Sequence, residues 1–242
     1  MLRRALAAGL AALALLSVPA GAAALQVAPV RIDIPAPGSA SKITLRNAGK
    51  DQINAQVRVF KWTQVKGKDT LAETRDVVAS PPILKLDGEK SNVVRIVRTA
   101  KGPVQGEEAY RLIVDELPGA AGKPGLSIKF VLRYSIPVFF RGAKQKGADL
   151  DWSVSTKGGQ TTLVVANNGD SHLRISGLAM APSGGKAVSF DEGLVGYVLA
   201  KSTARFAFKR ALKGARAGGT VLITAEGNDG PVKATAEVRA AN

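Results

Sequence analysis

Ile128-Lys-Phe-Val-Leu-Arg-Tyr-Ser-Ile-Pro-Val138 sets a large apolar side chain at every second position: Ile128, Phe130, Leu132, Tyr134, Ile136 and Val138. Side chains alternate between faces along an extended chain, so this spacing predicts a β-strand carrying a continuous apolar ridge. Lys129, Arg133, Ser135 and Pro137 project to the other side. The ridge must be covered, either by the core of its own domain or by another protein. Pro137 removes one ladder donor, which predicts an edge strand or the end of its pairing.

Outward from this strand, short runs rich in Val, Ile and Thr recur between Gly, Asn, Asp and Pro clusters, at the spacing of a β-sandwich. Strands are predicted at 26–34, 42–47, 53–62, 83–86, 91–98, 109–117 and 127–140. A second series covers 150–155, 161–166, 172–179, 197–199, 204–208, 221–225 and 232–238. No long amphipathic helix is predicted. Between the series, Arg141-Gly-Ala-Lys-Gln-Lys-Gly147 breaks the alternation with the composition of a linker. The fold expected is all-β, two sandwich domains, because so many short strands exceed what one core would hold.

At the amino terminus Arg3 and Arg4 precede an apolar run from Ala5 to Val18, and Ala22 and Ala24 form an A-x-A site. This pattern predicts a secretory signal peptide over 1–24; the run is too short for a retained span. The predicted domains are then 25–142 and 143–242. The chain has no cysteine, so stability must come from burial, and thiol chemistry and cysteine metal sites are excluded.

Five stretches, in order, resemble the periplasmic pilus chaperones of the chaperone/usher pathway. Val27-Ala-Pro-Val-Arg31 is similar to the family's first strand. The segment Ser80 to Arg95, with Gly88 at its turn, resembles the "PP…L.PG…..R" element, and Tyr110-Arg-Leu-Ile-Val-Asp-Glu-Leu-Pro118 the strand before the key loop. Val138-Phe-Phe-Arg141 is similar to the "FYRP" ending, and Val165-Ala-Asn-Asn-Gly169 followed by Leu173 to Leu178 to the "NPTP…..GL" element. The resemblance implies two immunoglobulin-like domains in an L. It also implies a periplasmic chaperone that lends a strand to pilus subunits lacking one and delivers them to an outer-membrane usher, a mode of recognition by β-augmentation that chaperone–pilin complexes exemplify. The donor residues implied are Ile128, Phe130, Leu132 and Tyr134, after a glycine-rich loop at 119–125.

In the family's best-known branch two cations hold the subunit's terminal carboxylate, an arginine of the first strand and a lysine of the last. Arg31 matches the first, but Pro137 stands at the lysine's place, as in the branch with "RYS.PVF" strands. Arg133 and Arg95 are the replacements expected. Self-association that hides the ridge is a further expectation. The other reading is a secreted structural or adhesive immunoglobulin-like module, whose last strand would be wholly self-buried.

Other functions find less support. The net charge of +15, or +13 without Arg3 and Arg4, comes from scattered residues without a nucleic-acid motif, so no nucleic-acid partner is expected; acidic proteins or anionic surfaces are. The only histidine, His172, follows Asp170 and Ser171 in a predicted turn, and sequence neighbours do not form a catalytic relay. Glu107 and Glu108 are adjacent on a strand and face opposite ways. Asp149 and Asp151 form at most a weak cation site. No catalytic residue, metal site or cofactor is expected.

Overall fold

The structure is a computed structural model that describes residues 24–118 and 131–240. The predicted signal peptide, the 119–125 loop, Ile128 and Phe130 lie outside the described residues. Among those described there is no helix; the chain forms seventeen strands.

The first ten are β1 (Leu25–Ala28), β2 (Ile32–Pro35), β3 (Ala40–Asn47), β4 (Ile53–Val65), β5 (Lys68–Glu73), β6 (Val77–Ser80), β7 (Ile83–Leu86), β8 (Ser91–Arg98), β9 (Glu107–Leu117) and β10 (Arg133–Arg141). They make two sheets, β1-β3-β8-β6 and β2-β10-β9-β4-β5, with β7 also paired to β4. Alternating apolar residues from both sheets meet between them. Ile43, Leu45, Val94 and Ile96 come from one side, and Tyr110, Leu112, Val114, Ile136, Val138 and Phe140 from the other. Each such side chain contributes about 1.5–3 kcal/mol by leaving water, which is how a chain without disulfides holds together. The stretch expected as one strand over 26–34 is broken. The chain crosses from one sheet to the other around Pro29–Arg31, so β1 pairs β3 while β2 runs parallel to β10. β5 and β6 are strands beyond those expected: β5 is exposed along its length, and β6 is too short to stand out in the sequence although Val77 and Ala79 turn into the core.

The remaining strands are β11 (Leu150–Lys157), β12 (Gln160–Asn167), β13 (Leu173–Pro182), β14 (Val188–Val198), β15 (Ser202–Phe208), β16 (Thr220–Glu226) and β17 (Pro231–Val238). They form one sheet, β14-β13-β16-β17-β11-β12-β15. It closes over a core of its own that includes Val154, Leu163, Val165, Ile175, Met180 and Ile223. Its two end strands meet where the Phe190 and Phe208 rings pack edge to face, centroids 5.3 Å apart.

Both sandwiches use the same turn device. Asn47 donates from Nδ2 to the carbonyls of Asp51 and Leu86 and accepts from Gly49 N, while Asn167 donates to those of Ser171 and Leu199 and accepts from Gly169 N. Each buried amide thereby satisfies a loop backbone that has no ladder partner. Gly88 is fixed by close approach: a Cβ there would lie 2.0 Å from the Lys50 carbonyl oxygen.

Candidate functional site

Burial along β10 changes in a regular way. Ile136, Val138 and Phe140 are fully enclosed in the first core, whereas Leu132 and Tyr134, on the same face, are only partly covered. Tyr134 anchors its end of the strand by donating its hydroxyl to the Leu25 carbonyl at 2.6 Å. The ridge is therefore self-filled at its carboxyl end and half open toward Leu132. Pairing changes at the same place. β9 lines one edge of β10 from Arg133 to Arg141, but β2 lines the other only from Val138 to Arg141. From Arg133 to Pro137 the second edge carries no strand among the described residues. Pro137, buried and without an N–H, ends that open stretch.

Around this end the pairing registers arrange the sheet face in rows. The parallel register Val138↔Ile32 puts Arg31 level with Pro137, and the antiparallel register puts Arg111 of β9 opposite Pro137. Arg31, immediately before β2, and Arg111, on β9, thus stand on either side of Pro137 in the strand order β2-β10-β9. The next row holds Asp33, Phe139 and Ala109, and the one after it Pro35, Arg141 and Glu107.

The two arginines differ in environment. Arg31 donates to both Asp33 oxygens, Nε–Oδ2 2.6 Å and Nη2–Oδ1 3.2 Å. Burial alone would lower its pKa, but the Asp33 bonds and the charges of Asp33, Tyr197 and Asp229 raise it overall. Arg111 lies with its guanidinium 3.7 Å above the Trp62 ring and 5.3 Å from that of Tyr197. Burial pulls its pKa down, against smaller opposing effects of Asp69 and Tyr197, and no carboxylate forms an ion pair with it among the described residues. A partly desolvated guanidinium without a counter-ion is a ready site for an anion, to which it can donate two parallel hydrogen bonds.

The face also joins the two sandwiches. Trp62, Ala109 and Phe139 of the first pack on Tyr197 and Leu199 of the second. His172 stacks on Phe139 at 3.6 Å and 9°, and its Nδ1 lies 2.9 Å from both oxygens of Glu107, which also accepts the His172 backbone N–H at 3.0 Å. The two side chains are 2% and 1% exposed. The turn position expected for His172 is observed, but the residue is a buried tie between sandwiches. Glu108 faces the other way, onto Arg98 and the Tyr110 hydroxyl. A cleft of 310 Å³ between the sandwiches is lined by Arg31, Arg141, Glu107, His172 and the 227–231 turn. Arg141 Nε and His172 Nε2 are buried there without a partner.

Of the three cations expected to form an anchor, only Arg31 lies at this end of β10. Arg133 is four residues back, about 13 Å along the strand, where it and Arg58 (2.7 Å) both bond Asp115. Arg95 is exposed on β8, beside Lys42 and Ser80 in the other sheet. Arg111 escapes a reading of the sequence because only the β9–β10 register reveals that it faces Pro137. The signal available in sequence is a lone arginine in an apolar strand just before the key loop.

Residues 24–146 match the family model for "Pili and flagellar-assembly chaperone, PapD N-terminal domain". A search of curated proteins finds no match to the sequence. Among solved structures, the chain resembles one in the CsuC–CsuE chaperone–tip adhesion subunit pre-assembly complex from archaic Csu pili of Acinetobacter baumannii. The two are 29% identical with a TM-score of 0.68, over 91% of this chain and 100% of that one. It also resembles the chaperone DraB of E. coli (22%, 0.57, over 90% and 96%). A chain of the Salmonella enterica SafA pilin–SafB chaperone complex is similar too (17%, 0.59, over 88% and 96%). The last two likenesses bear on the fold, which is that of two immunoglobulin-like domains.

Proposed function

Because the chain belongs to the pili and flagellar-assembly chaperone family, we propose that it captures pilus subunits by adding the open edge of β10 to a subunit that lacks a strand. The observation that carries this reading is the termination of that edge. It is open from Arg133 to Pro137, closed by β2 from Val138, and flanked at the closing point by Arg31 and Arg111. A subunit strand on this edge, with its carboxylate at Pro137 and its body toward Leu132, runs parallel to β10 and in line with β2. Its main chain takes up the unpaired edge, and its groove receives the ridge Leu132 and Tyr134, continued by Ile128 and Phe130. Arg31 and Arg111 then bracket the terminal carboxylate, Arg111 taking the part of the lysine absent at Pro137.

The same reading assigns residues 1–24 to a signal peptide, 25–142 to the strand-lending domain and 143–242 to the second, with the periplasm as workplace and an outer-membrane usher as the recipient. Separate cores on either side of 142–149 support the division. The Arg133–Phe139 sequence is placed with the "RYS.PVF" branch on its own residues, Pro137 among them. Chaperoning of this kind involves no bond chemistry, so no catalytic group is invoked.

A pair of synthetic peptides tests the anchor: the last strand of a cognate subunit with a free carboxylate, and the same peptide as its amide. The free acid should bind wild type more tightly by about tenfold, the value of one charge-assisted contact of roughly 1.4 kcal/mol. Arg111→Met, which keeps the stem over Trp62, should remove that preference. Equal binding of acid and amide to wild type would refute the anchor.

A further inference from the structure

On the second sandwich, β11, β12 and β15 share an outer face whose middle is built from short side chains. The inner positions Val154, Leu163, Val165 and Ala204 belong to the core, while Ser155, Thr162, Val164 and Thr203 alternate with them and point outward. Long cationic side chains stand around these short ones. Two adjoining cavities result, of 800 and 740 Å³, which share Val164 and Arg205 in their walls. Lys66, Lys201 and Arg205 line one; Lys157, Arg205 and Arg239 line the other; no Asp or Glu lines either. All five cations are exposed. Lys201 is paired with Asp170 at 3.0 Å, and the other four form no ion pair among the described residues.

Lys66 reaches this trough from the first sandwich. It and Gly67 form the two-residue tip of the β4–β5 hairpin, with φ of 52° and 80°, and the Gly67 carbonyl accepts the Arg205 N–H at 3.0 Å. Gly67 is needed twice over, since a Cβ there would sit 2.8 Å from the Arg205 Cβ. The hairpin thus covers part of the β15 edge and closes one end of the trough.

We infer that this trough is a docking surface for an extended acidic segment of a partner protein. Four of these cations, Lys66, Lys157, Arg205 and Arg239, form no ion pair among the described residues, and like charges gathered on one face repel one another and attract carboxylates. The surface is a run of hydroxyl, amide and cationic side chains at strand spacing, with Asp151 and Glu237 only at its rim, which fits an extended polypeptide better than the plane of a bilayer. Its two adjoining cavities together exceed the size of a single small-ligand site. The surface stands apart from β10 and does not depend on strand lending.

The test is fluorescence anisotropy of the processed chain with a labelled decapeptide of alternating Glu and Ser, beside one of alternating Gln and Ser and beside phosphatidylglycerol vesicles. The acidic peptide should bind and the Gln peptide should not. Lys157→Glu with Arg205→Glu should weaken the acidic peptide by at least about tenfold, and Lys66→Glu with Arg239→Glu should act likewise. Lys42→Glu with Lys85→Glu, the same charge change on exposed lysines of the first sandwich, should alter it less than about twofold. Thermal unfolding checks that each variant is folded. Equal weakening by the control pair would reduce the effect to net charge and overturn the proposal. Binding to vesicles without binding to the peptide, or no binding of the acidic peptide by wild type, would also overturn it.

Discussion

Glu107→Ala should uncouple the two sandwiches. The substitution removes three hydrogen bonds to His172 and leaves without any counterpart an imidazole that is only 2% exposed and whose Nε2 already lacks a partner. Leaving a buried hydrogen-bonding group without its partner costs about 1–3 kcal/mol because the survivor stays desolvated. For a chain of this size each kcal/mol is about 2–4 °C, so the midpoint should fall by roughly 2–12 °C. Calorimetry should show more than the shift: with the tie gone, one transition should split into two, one for each sandwich. Glu107→Gln, which keeps an acceptor, should lose less than Glu107→Ala does, about 1 kcal/mol or below. The double variant Glu107→Leu with His172→Phe, which removes both polar groups and keeps a ring on Phe139, should recover most of the loss, since apolar replacement of a buried pair is often neutral. A loss below about 1 kcal/mol in Glu107→Ala, or additive effects in the double variant, would refute the assignment of this pair as the tie.

Two further predictions concern stability. Gly67→Ala forces a side chain into a left-handed turn and against Arg205, so it should cost about 1–2 kcal/mol and speed proteolysis at the hairpin tip; wild-type stability and cleavage would contradict the close approach. Acid should also act in a defined window. The Arg98 bonds hold the Glu108 carboxyl below its usual range, with a Tyr110 bond helping against burial. For Asp115 burial pushes up, but bonds from Arg133 and Arg58 outweigh it and the pKa falls. Groups with depressed folded values stabilise above their unfolded values, about 3.9 and 4.3, and lose that contribution as pH drops through the folded ones. The melting temperature should therefore hold from pH 7 to about pH 5 and fall below about pH 4, and Glu108→Gln should make that fall shallower; an unchanged acid limb in the variant would contradict it.

The alternation in 128–138 points to β10, although among the described residues the strand begins only at Arg133; the edge-strand expectation at Pro137 holds before that residue, but pairing does not end there, since β9 continues to Arg141 and β2 joins from Val138. The sheet-switching break at Pro29–Arg31 is hidden, since Val27, Ile32 and Ile34 stay apolar on both sides of it and the break lies in which partner strand each half finds. The roles of Arg111 and His172 are invisible for a related reason. Arg111 gains meaning only from the register that sets it opposite Pro137, and His172 only from Glu107, a residue far back in the chain on a strand of the other sandwich. Arg133 and Arg95 are legible as cations near these strands, but where each sits, on Asp115 and beside Lys42 of the other sheet, follows from pairing that the sequence does not display.

The central claim is most directly tested by co-expressing the chain with a cognate pilus subunit and measuring soluble complex. Three chains are compared: wild type, Phe130→Asp with Leu132→Asp on the ridge, and Val131→Asp on the opposite, exposed face. Wild type and Val131→Asp should capture the subunit and the ridge variant should not, although that variant should melt within about 5 °C of wild type. Unfolding of the ridge variant would show that the ridge belongs to the chain's own core, and undiminished capture would show that β10 is not the strand it lends.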